Sequence, residues 1–339
     1  MDETSYLPAV TEPATVEVTK RTAALAQLDA ERVTTDGYER AKNTEKAYAS
    51  TERMLTAFAE AFELDSASVD TAERFLSGLY FETESKPGSK PATIARHAAA
   101  IVNLRNWKHA PEGEKVWAHV AKIRRRAAAE GRSTPKRAHA LKPSEVEAML
   151  EHAGDGTRGA RDRALVALGF ALGWRRSELA TLRVEDVELA SDGALVTLTG
   201  PTKSDQTGEA GRVVFVPMSR KLSTCPARLV QRWISAAGVE DGPLFRRVDR
   251  HGSVLKRGLT GEGIGRTIAS LAETAGVTGG LPGRSSVTGH SLRAGFVSEA
   301  KRRGAPDHHV MASTGHKTSA MLAVYARESN ARDAAVRVL

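Results

Sequence analysis

The sequence predicts a mainly helical protein with one small β element, arranged as an all-α domain followed by an α+β domain. Three observations carry this. Apolar residues recur at helical spacing through most of the chain from Asn43 onward. Only Ala194–Thr199 and Arg212–Met218 are β-rich, and they flank a polar Gly- and Thr-containing stretch, which predicts a hairpin with a long tip. Between the helical half and this hairpin, Ala127–Ala140 carries Gly131, Pro135 and several basic residues, the composition of a linker. The expected boundaries are therefore an arm over 1–35, a helical domain over 36–126, the linker over 127–140 and a second domain over 141–339.

The arm holds Pro8 and Pro13 and no sustained periodicity; Thr19–Val33 is compatible with one short helix, and the rest reads as mobile. From Asn43, with Asn43 or Thr44 as N-cap, the residues Tyr48, Leu55, Phe58 and Phe62 recur as one helix face. Val69–Tyr80 is a second helix with Phe75, Leu76 and Leu79 inward. Thr93–Trp107 is a third, carrying Ile94, Ile101 and Leu104, and Lys115–Ala129 a fourth. These make a small all-α domain. Pro143 and Ser144 open the next helix, Arg161–Leu172 is an apolar helix broken by Gly173, and Arg175 begins another. After the hairpin come helices at Pro226–Ala237, Gly263–Ala275, Ser291–Arg303, Asp307–Thr314 and Ser319–Ala326. Trp107, Trp117 and Trp233 read as core residues, and His308 and His309 as solvated.

With 339 residues, 27% charged and 41% hydrophobic, the chain has the balance of a globular protein and the length for two cores. Its longest apolar run, Ala164–Trp174, suits a buried helix and is too short to span a bilayer. Cys225 is the only cysteine, which excludes an internal disulfide and a cysteine-based zinc cluster. The first residues lack a basic and an apolar region of signal type, so the expected location is cytoplasmic, with no membrane partner. The net charge of +8 is uneven. Residues 1–35 hold six acids against three bases, whereas residues 86–137 hold thirteen Lys or Arg against three Glu. Such a concentration favours a polyanion, nucleic acid before an acidic membrane surface. Arg96, Lys122, Arg124, Arg125, Lys136 and Arg137 are the candidate contacts, of the kind that suits duplex phosphates.

The chemistry concentrates near the C-terminus. His290 and Arg293 are three apart and share a helix face; Gly315-His316 follows, then a lone Tyr325. Upstream stand Arg175, Glu178 and, in the hairpin tip, Lys203. Attack on a phosphodiester builds negative charge on the equatorial oxygens, which guanidiniums and imidazole donors can meet without a metal. Arg175 sits where a helix start adds its dipole and N–H groups. Arg293 is a second clamp, His290 and His316 are donors or a proton acceptor, Lys203 can protonate a leaving oxygen, and Tyr325 is a hydroxyl nucleophile. Each has a plainer reading: Arg176 is the rival clamp, Lys203 a solvated loop lysine, and Glu178 a helix salt-bridge partner.

In this order and spacing, Arg175-x-x-Glu178-Leu179, a hairpin Lys203, His290-x-x-Arg293, Gly315-His316 and Tyr325 resemble the tyrosine recombinase family over about residues 141–339. The helical half, with Thr44 and Tyr48, is similar to the family's core-binding domain, though more loosely. The resemblance implies an all-α core-binding domain and an α+β catalytic domain that cuts DNA through a 3′-phosphotyrosine link and exchanges strands between two sites via a Holliday junction. It implies Arg175, His290, Arg293 and His316 around the scissile phosphate, with Glu178 orienting them. Lys203 becomes the general acid for the 5′-hydroxyl, Tyr325 the nucleophile and His290 the base for its proton. No cofactor or metal is implied. The implied partners are double-stranded recombination sites and further copies of the chain, monomeric when free, a dimer on each site and a tetramer across two, acting at the nucleoid. The tail, Ala326–Leu339, is expected to dock on a neighbouring protomer. Thr314 departs from the pattern, standing where the family usually has an apolar residue. A non-catalytic DNA-binding protein and a type IB topoisomerase are the alternatives. The intact tyrosine and arginines speak against the first, and strand exchange separates the second.

Overall fold

A computed structural model describes residues 42–81, 88–133, 138–200, 202, 211–278 and 287–323, with backbone alone at 42 and 43. The expected arm, the Lys203 tip, Lys136 and Arg137 of the linker, Tyr325 and the tail lie outside the described residues. The chain divides into two compact units, Met1–Pro135 and Lys136–Leu339.

Among its described residues the first unit is four α-helices, α1 (Lys42–Ala61), α2 (Val69–Tyr80), α3 (Pro91–Leu104) and α4 (Pro111–Ala129), with a 3-10 turn at Trp107–His109. Ser68 caps α2 by accepting the Thr71 N–H on its hydroxyl. Helices α3 and α4 begin two and four residues earlier than the periodicity suggests. Pro91 and Pro111 occupy the first turn, where a missing N–H costs nothing and the fixed φ suits a helix. Leu55, Phe75, Leu76, Ile94, Ile101, Val116 and Val120 form the core. Two expectations fail. Phe62 is 63% exposed because α1 stops at Ala61 and Glu63 turns left-handed, so Phe62 leaves the helical face. Trp117 is 40% exposed, one position past the inward Val116 on α4. Trp107 is half-buried against the core.

The second unit is built around α6 (Gly156–Leu172), which is preceded by α5 (Pro143–Glu151). Leu165, Val166, Leu168 and Leu172 of α6 are fully buried, each contributing about 1.5–3 kcal/mol on burial. Then follow α7 (Arg176–Thr181) and an antiparallel sheet β1 (Val187–Leu189), β2 (Gly193–Leu198) and β3 (Arg212–Pro217), in that order. In the β2–β3 hairpin, Leu198 pairs with Arg212 and Gly193 with Pro217. Helix α8 (Pro226–Ala237) packs on α6 and buries Trp233. A second hairpin, β4 (Arg246–Val248) and β5 (Val254–Gly258), leads to α9 (Gly261–Thr274), α10 (Ser291–Arg302) and α11 (Asp307–Thr314). The chain is helical again at 319–323.

Strands β1, β4 and β5 are not marked in the sequence pattern. They are three to five residues long and carry charges such as Arg246, Arg247, Lys256 and Arg257, so neither alternation nor β-branched enrichment signals them. Among the described residues no helix is long and apolar enough to cross a membrane.

Candidate active site

The site is assembled where α6 ends. Gly173 closes α6 in the left-handed conformation, φ 63°. A Cβ there would lie 2.3 Å from Phe296 Cδ1 of α10, so only glycine permits both the turn and the helix approach. That approach puts Arg293 of α10 under the turn. Its Nη1 donates to the carbonyls of Gly173 (3.0 Å) and Thr314 (2.6 Å), and its Nη2 to His316 Nε2 (3.0 Å). Trp174, fully buried, donates its indole N–H to the Ser313 carbonyl at 2.8 Å and so ties the same turn to the end of α11.

Arg175 caps α7. Glu178 Oε2 accepts the Arg175 backbone N–H (2.8 Å) and Oε1 accepts its Nη1 (2.6 Å). The sequence suggests that this helix start offers its N–H groups to a phosphate; the Arg175 N–H is instead taken by Glu178, so the contribution of Arg175 rests on its side chain. Arg176, the rival, is exposed and packs its stem over Gly289 and beside Gly265. Burial alone would push the Glu178 carboxyl up. The Arg175 N–H and the neighbouring Arg212 and Arg175 guanidiniums outweigh it and hold the carboxylate below its usual range. For His316, burial first and then the Arg293, Arg175 and Arg212 cations, against Glu178, bring the imidazole down to about 4, so it is neutral at physiological pH.

Arg212 is a member that sequence reasoning missed. Its Nη2 forms an ion pair with Glu178 Oε1 at 2.8 Å, off the line of an aligned hydrogen bond. Its Nη1 donates to the Ser313 carbonyl at 3.2 Å, and its guanidinium stacks 5.2 Å from the Trp174 ring. The available signal is parity: Arg212 shares the inward register of Val214 and Val216, an unusual place for a charge. The structure thus brings together Arg175, Glu178, Arg293 and His316 with Arg212. His290 caps α10 one turn before Arg293 and is exposed. Lys203 falls in the sequence between β2 and β3, and Tyr325 after 323; both lie outside the described residues.

In the first unit Arg96 on α3 and Lys122, Arg124 and Arg125 on α4 all face solvent. Arg126 instead pairs with Glu130 at 2.7 Å and covers Tyr80 and Phe81. In the second unit a cleft of about 540 Å³ is lined by Arg158, Arg161, Arg247, Arg257 and Arg266. Arg161 is committed to Asp162, whose carboxyl is pushed up by burial, and Arg158 to the Val248 and Asp249 carbonyls. Arg247, Arg257 and Arg266 are exposed on its rim. The paired basic residues of the β4–β5 hairpin are the sequence signal for this surface.

Guanidiniums converging beside a neutral imidazole define a class of site made for an oxyanion such as a phosphodiester. The phage integrase family model matches residues 139–332, more than half of the chain. An integrase/recombinase XerD homologue of Selenomonas ruminantium is 30% identical over 51% of this chain, which spans about half (48%) of that relative's length. The tyrosine recombinase XerD of Listeria innocua is 24% identical over 88% of this chain and 89% of its own. Among solved structures, the Tn1549 transposon integrase in complex with circular intermediate DNA superposes with a TM-score of 0.62 at 18% identity. It covers 92% of this chain and 99% of that one, a likeness of fold. The chain belongs to the phage integrase family, the tyrosine recombinases, enzymes that cleave and rejoin DNA.

Proposed function

We propose that this chain is a site-specific recombinase in which Arg175 and Arg293 clamp the scissile phosphate and Tyr325 attacks it. The convergence of Arg175 with its partner Glu178 and of Arg293 with its partner His316 is the observation that carries the reading. The tyrosine oxygen bonds to phosphorus and the P–O5′ bond breaks. His290 takes the tyrosine proton, Lys203 gives one to the departing 5′-oxygen, and a 3′-phosphotyrosine remains. Attack by the 5′-hydroxyl of a partner strand reverses these steps and completes the exchange through a Holliday junction. Glu178 keeps Arg175 in place and does not touch the DNA. Transition-state donors of this kind are worth roughly 10²–10³ in rate each.

DNA is held on two further surfaces. One comprises Arg96, Lys122, Arg124 and Arg125 of the helical unit; Lys136 and Arg137, outside the described residues, are proposed as contacts from their charge alone. The other is the rim of the arginine-lined cleft. Strand exchange needs four copies, two per site, with the tail of each docked on its neighbour, and takes place where the DNA is, at the nucleoid.

The test begins with nicked duplexes of random core sequence. Adducts that survive SDS are isolated and sequenced to define a cleavable duplex. Tyr325→Phe is expected to bind that duplex and form no adduct. Adduct from the Phe variant at the wild-type level places the nucleophile elsewhere. Relaxation of one duplex without joining two sites removes the recombinase reading in favour of a topoisomerase.

A further inference from the structure

Thr314 is fully buried at the end of α11. Its hydroxyl lies 2.6 Å from the Val310 carbonyl and 2.6 Å from His316 Nδ1. A carbonyl can only accept, so the single hydroxyl proton goes to Val310, and the Thr314 oxygen must accept from Nδ1. The ring proton therefore sits on Nδ1. On the opposite edge, Nε2 is 3.0 Å from Arg293 Nη2. A guanidinium nitrogen can only donate, so Nε2 accepts. Both constraints select one species, the neutral Nδ1–H tautomer. The groups facing the ring agree, since Arg293 of α10, Arg212 of β3 and Arg175 beside α7 oppose a positive charge on it and, among the described residues, Glu178 favours one.

We propose that Thr314 is a positioning residue: by accepting from Nδ1 it fixes the His316 tautomer that receives Arg293, and so orients the guanidinium that clamps the phosphate. This rests on the reading of Arg293 as a clamp. The chain of donors runs from Arg293 through His316 and Thr314 to the Val310 carbonyl, each link satisfied and buried. In this arrangement Nε2 accepts from Arg293. An apolar residue of the same shape breaks the chain. With valine at 314 the Nδ1 proton has no acceptor, and moving it to Nε2 sets it against the Arg293 donor, so neither neutral form is satisfied and part of the population carries the proton on Nε2. Arg293 then keeps its bonds to the Gly173 and Thr314 carbonyls but loses the one that fixes Nη2.

The experiment uses the full chain with ¹⁵N-labelled histidine, the His316 signals being those that vanish in His316→Gln. In the wild type at neutral pH, Nδ1 is expected at a protonated-type shift and Nε2 at a lone-pair shift; the reverse pattern overturns the proposal without any variant. Thr314→Val is expected to shift the tautomer population from Nδ1–H toward Nε2–H. It should also slow single-turnover cleavage of the selected duplex about 10–100-fold, the scale of a lost outer partner, with duplex affinity unchanged. Thr314→Ser should restore tautomer and rate together, which a purely packing role predicts for neither. Wild-type cleavage by a Val variant whose tautomer population has shifted overturns the proposal, as do ¹⁵N shifts that the variant leaves unchanged. Should Arg293→Ala cleave normally, the clamp reading fails, while the ¹⁵N shifts still decide whether Thr314 sets the tautomer.

Discussion

Acidification is the perturbation that reads His316 most directly. In the folded protein the ring gains its proton at about 4; in the unfolded chain it does so near the ordinary 6.5. Between these values the unfolded state binds a proton that the folded state refuses. Stability is therefore present above about 6.5 and is lost as pH falls through the window toward 4. For one site with those two values, going from pH 7 to pH 5 removes about 2 kcal/mol, and the full shift corresponds to about 3 kcal/mol. Glu178, whose carboxylate is held below its usual range because burial is outweighed by the Arg175 N–H and the Arg212 and Arg175 guanidiniums, contributes a loss of the same sign that falls mainly below about pH 5.

The assay is urea unfolding at pH 7 and pH 5 for the wild type and for His316→Gln, which retains a donor and an acceptor but does not titrate. His97 and His139, both buried, are common to the two proteins and cancel in the comparison. The wild type should lose about 2 kcal/mol more than the variant across this interval. Equal losses would show that the folded ring titrates like a free one, and the neutral imidazole would have to be abandoned.

Three further outcomes are expected. Arg212→Met should lower cleavage about 10–100-fold by releasing Glu178 from one of its two cations. In combination with Glu178→Gln the loss should be less than the product of the two, whereas full additivity in single-turnover rates would mean that Arg212 acts independently. Lys203→Ala should cleave slowly on an ordinary duplex and recover on one with sulfur at the bridging 5′ position; no recovery removes Lys203 from the proton-donor role. Replacing Arg247, Arg257 and Arg266 with Gln should weaken binding and flatten its salt dependence by up to ~0.9 log units for each phosphate left unneutralised. An unchanged slope shows that the cleft rim does not meet DNA.

The elements that position the site are readable because their signals are local. Pro226–Ala237 and Asp307–Thr314 have the expected ends, since a proline or acidic first turn and a glycine just beyond the last turn mark both. Gly173 is visible as a break, although its reason, the Phe296 ring pressed against it, is a neighbour 123 residues away in sequence. The linear motif holds Arg175, Glu178, Arg293 and His316 in the right order, but it cannot say who holds whom. Arg212 is hidden because its partners, Glu178, Trp174 and Ser313, lie on three other segments. Thr314 stands out in the sequence only as a departure from the pattern, and its meaning needs two distances, one to Val310 and one to His316. Trp117 illustrates the opposite error. A tryptophan on an amphipathic helix reads as core by its type, when its position beside the inward Val116 decides its exposure.

The protonation of the cluster follows from the same geometry. Among the described residues Arg175, Arg212 and Arg293 stand against one carboxylate, Glu178, which leaves two net positive charges around a neutral ring. A phosphodiester brings one negative charge, and its transition state spreads more over the equatorial oxygens, so an excess of positive charge favours the transition state over the ground state. Too large an excess opposes folding, since buried like charges cost several kcal/mol when uncompensated. Glu178 moderates the repulsion between Arg175 and Arg212 without neutralising the site. A protonated His316 would add a third net charge to the cluster, and burial of the ring first, then the three arginines against Glu178, hold its pKa down. The requirement that the ring be neutral makes its tautomer a matter of consequence, because a neutral imidazole can serve Arg293 in only one of its two forms. Thr314 selects that form.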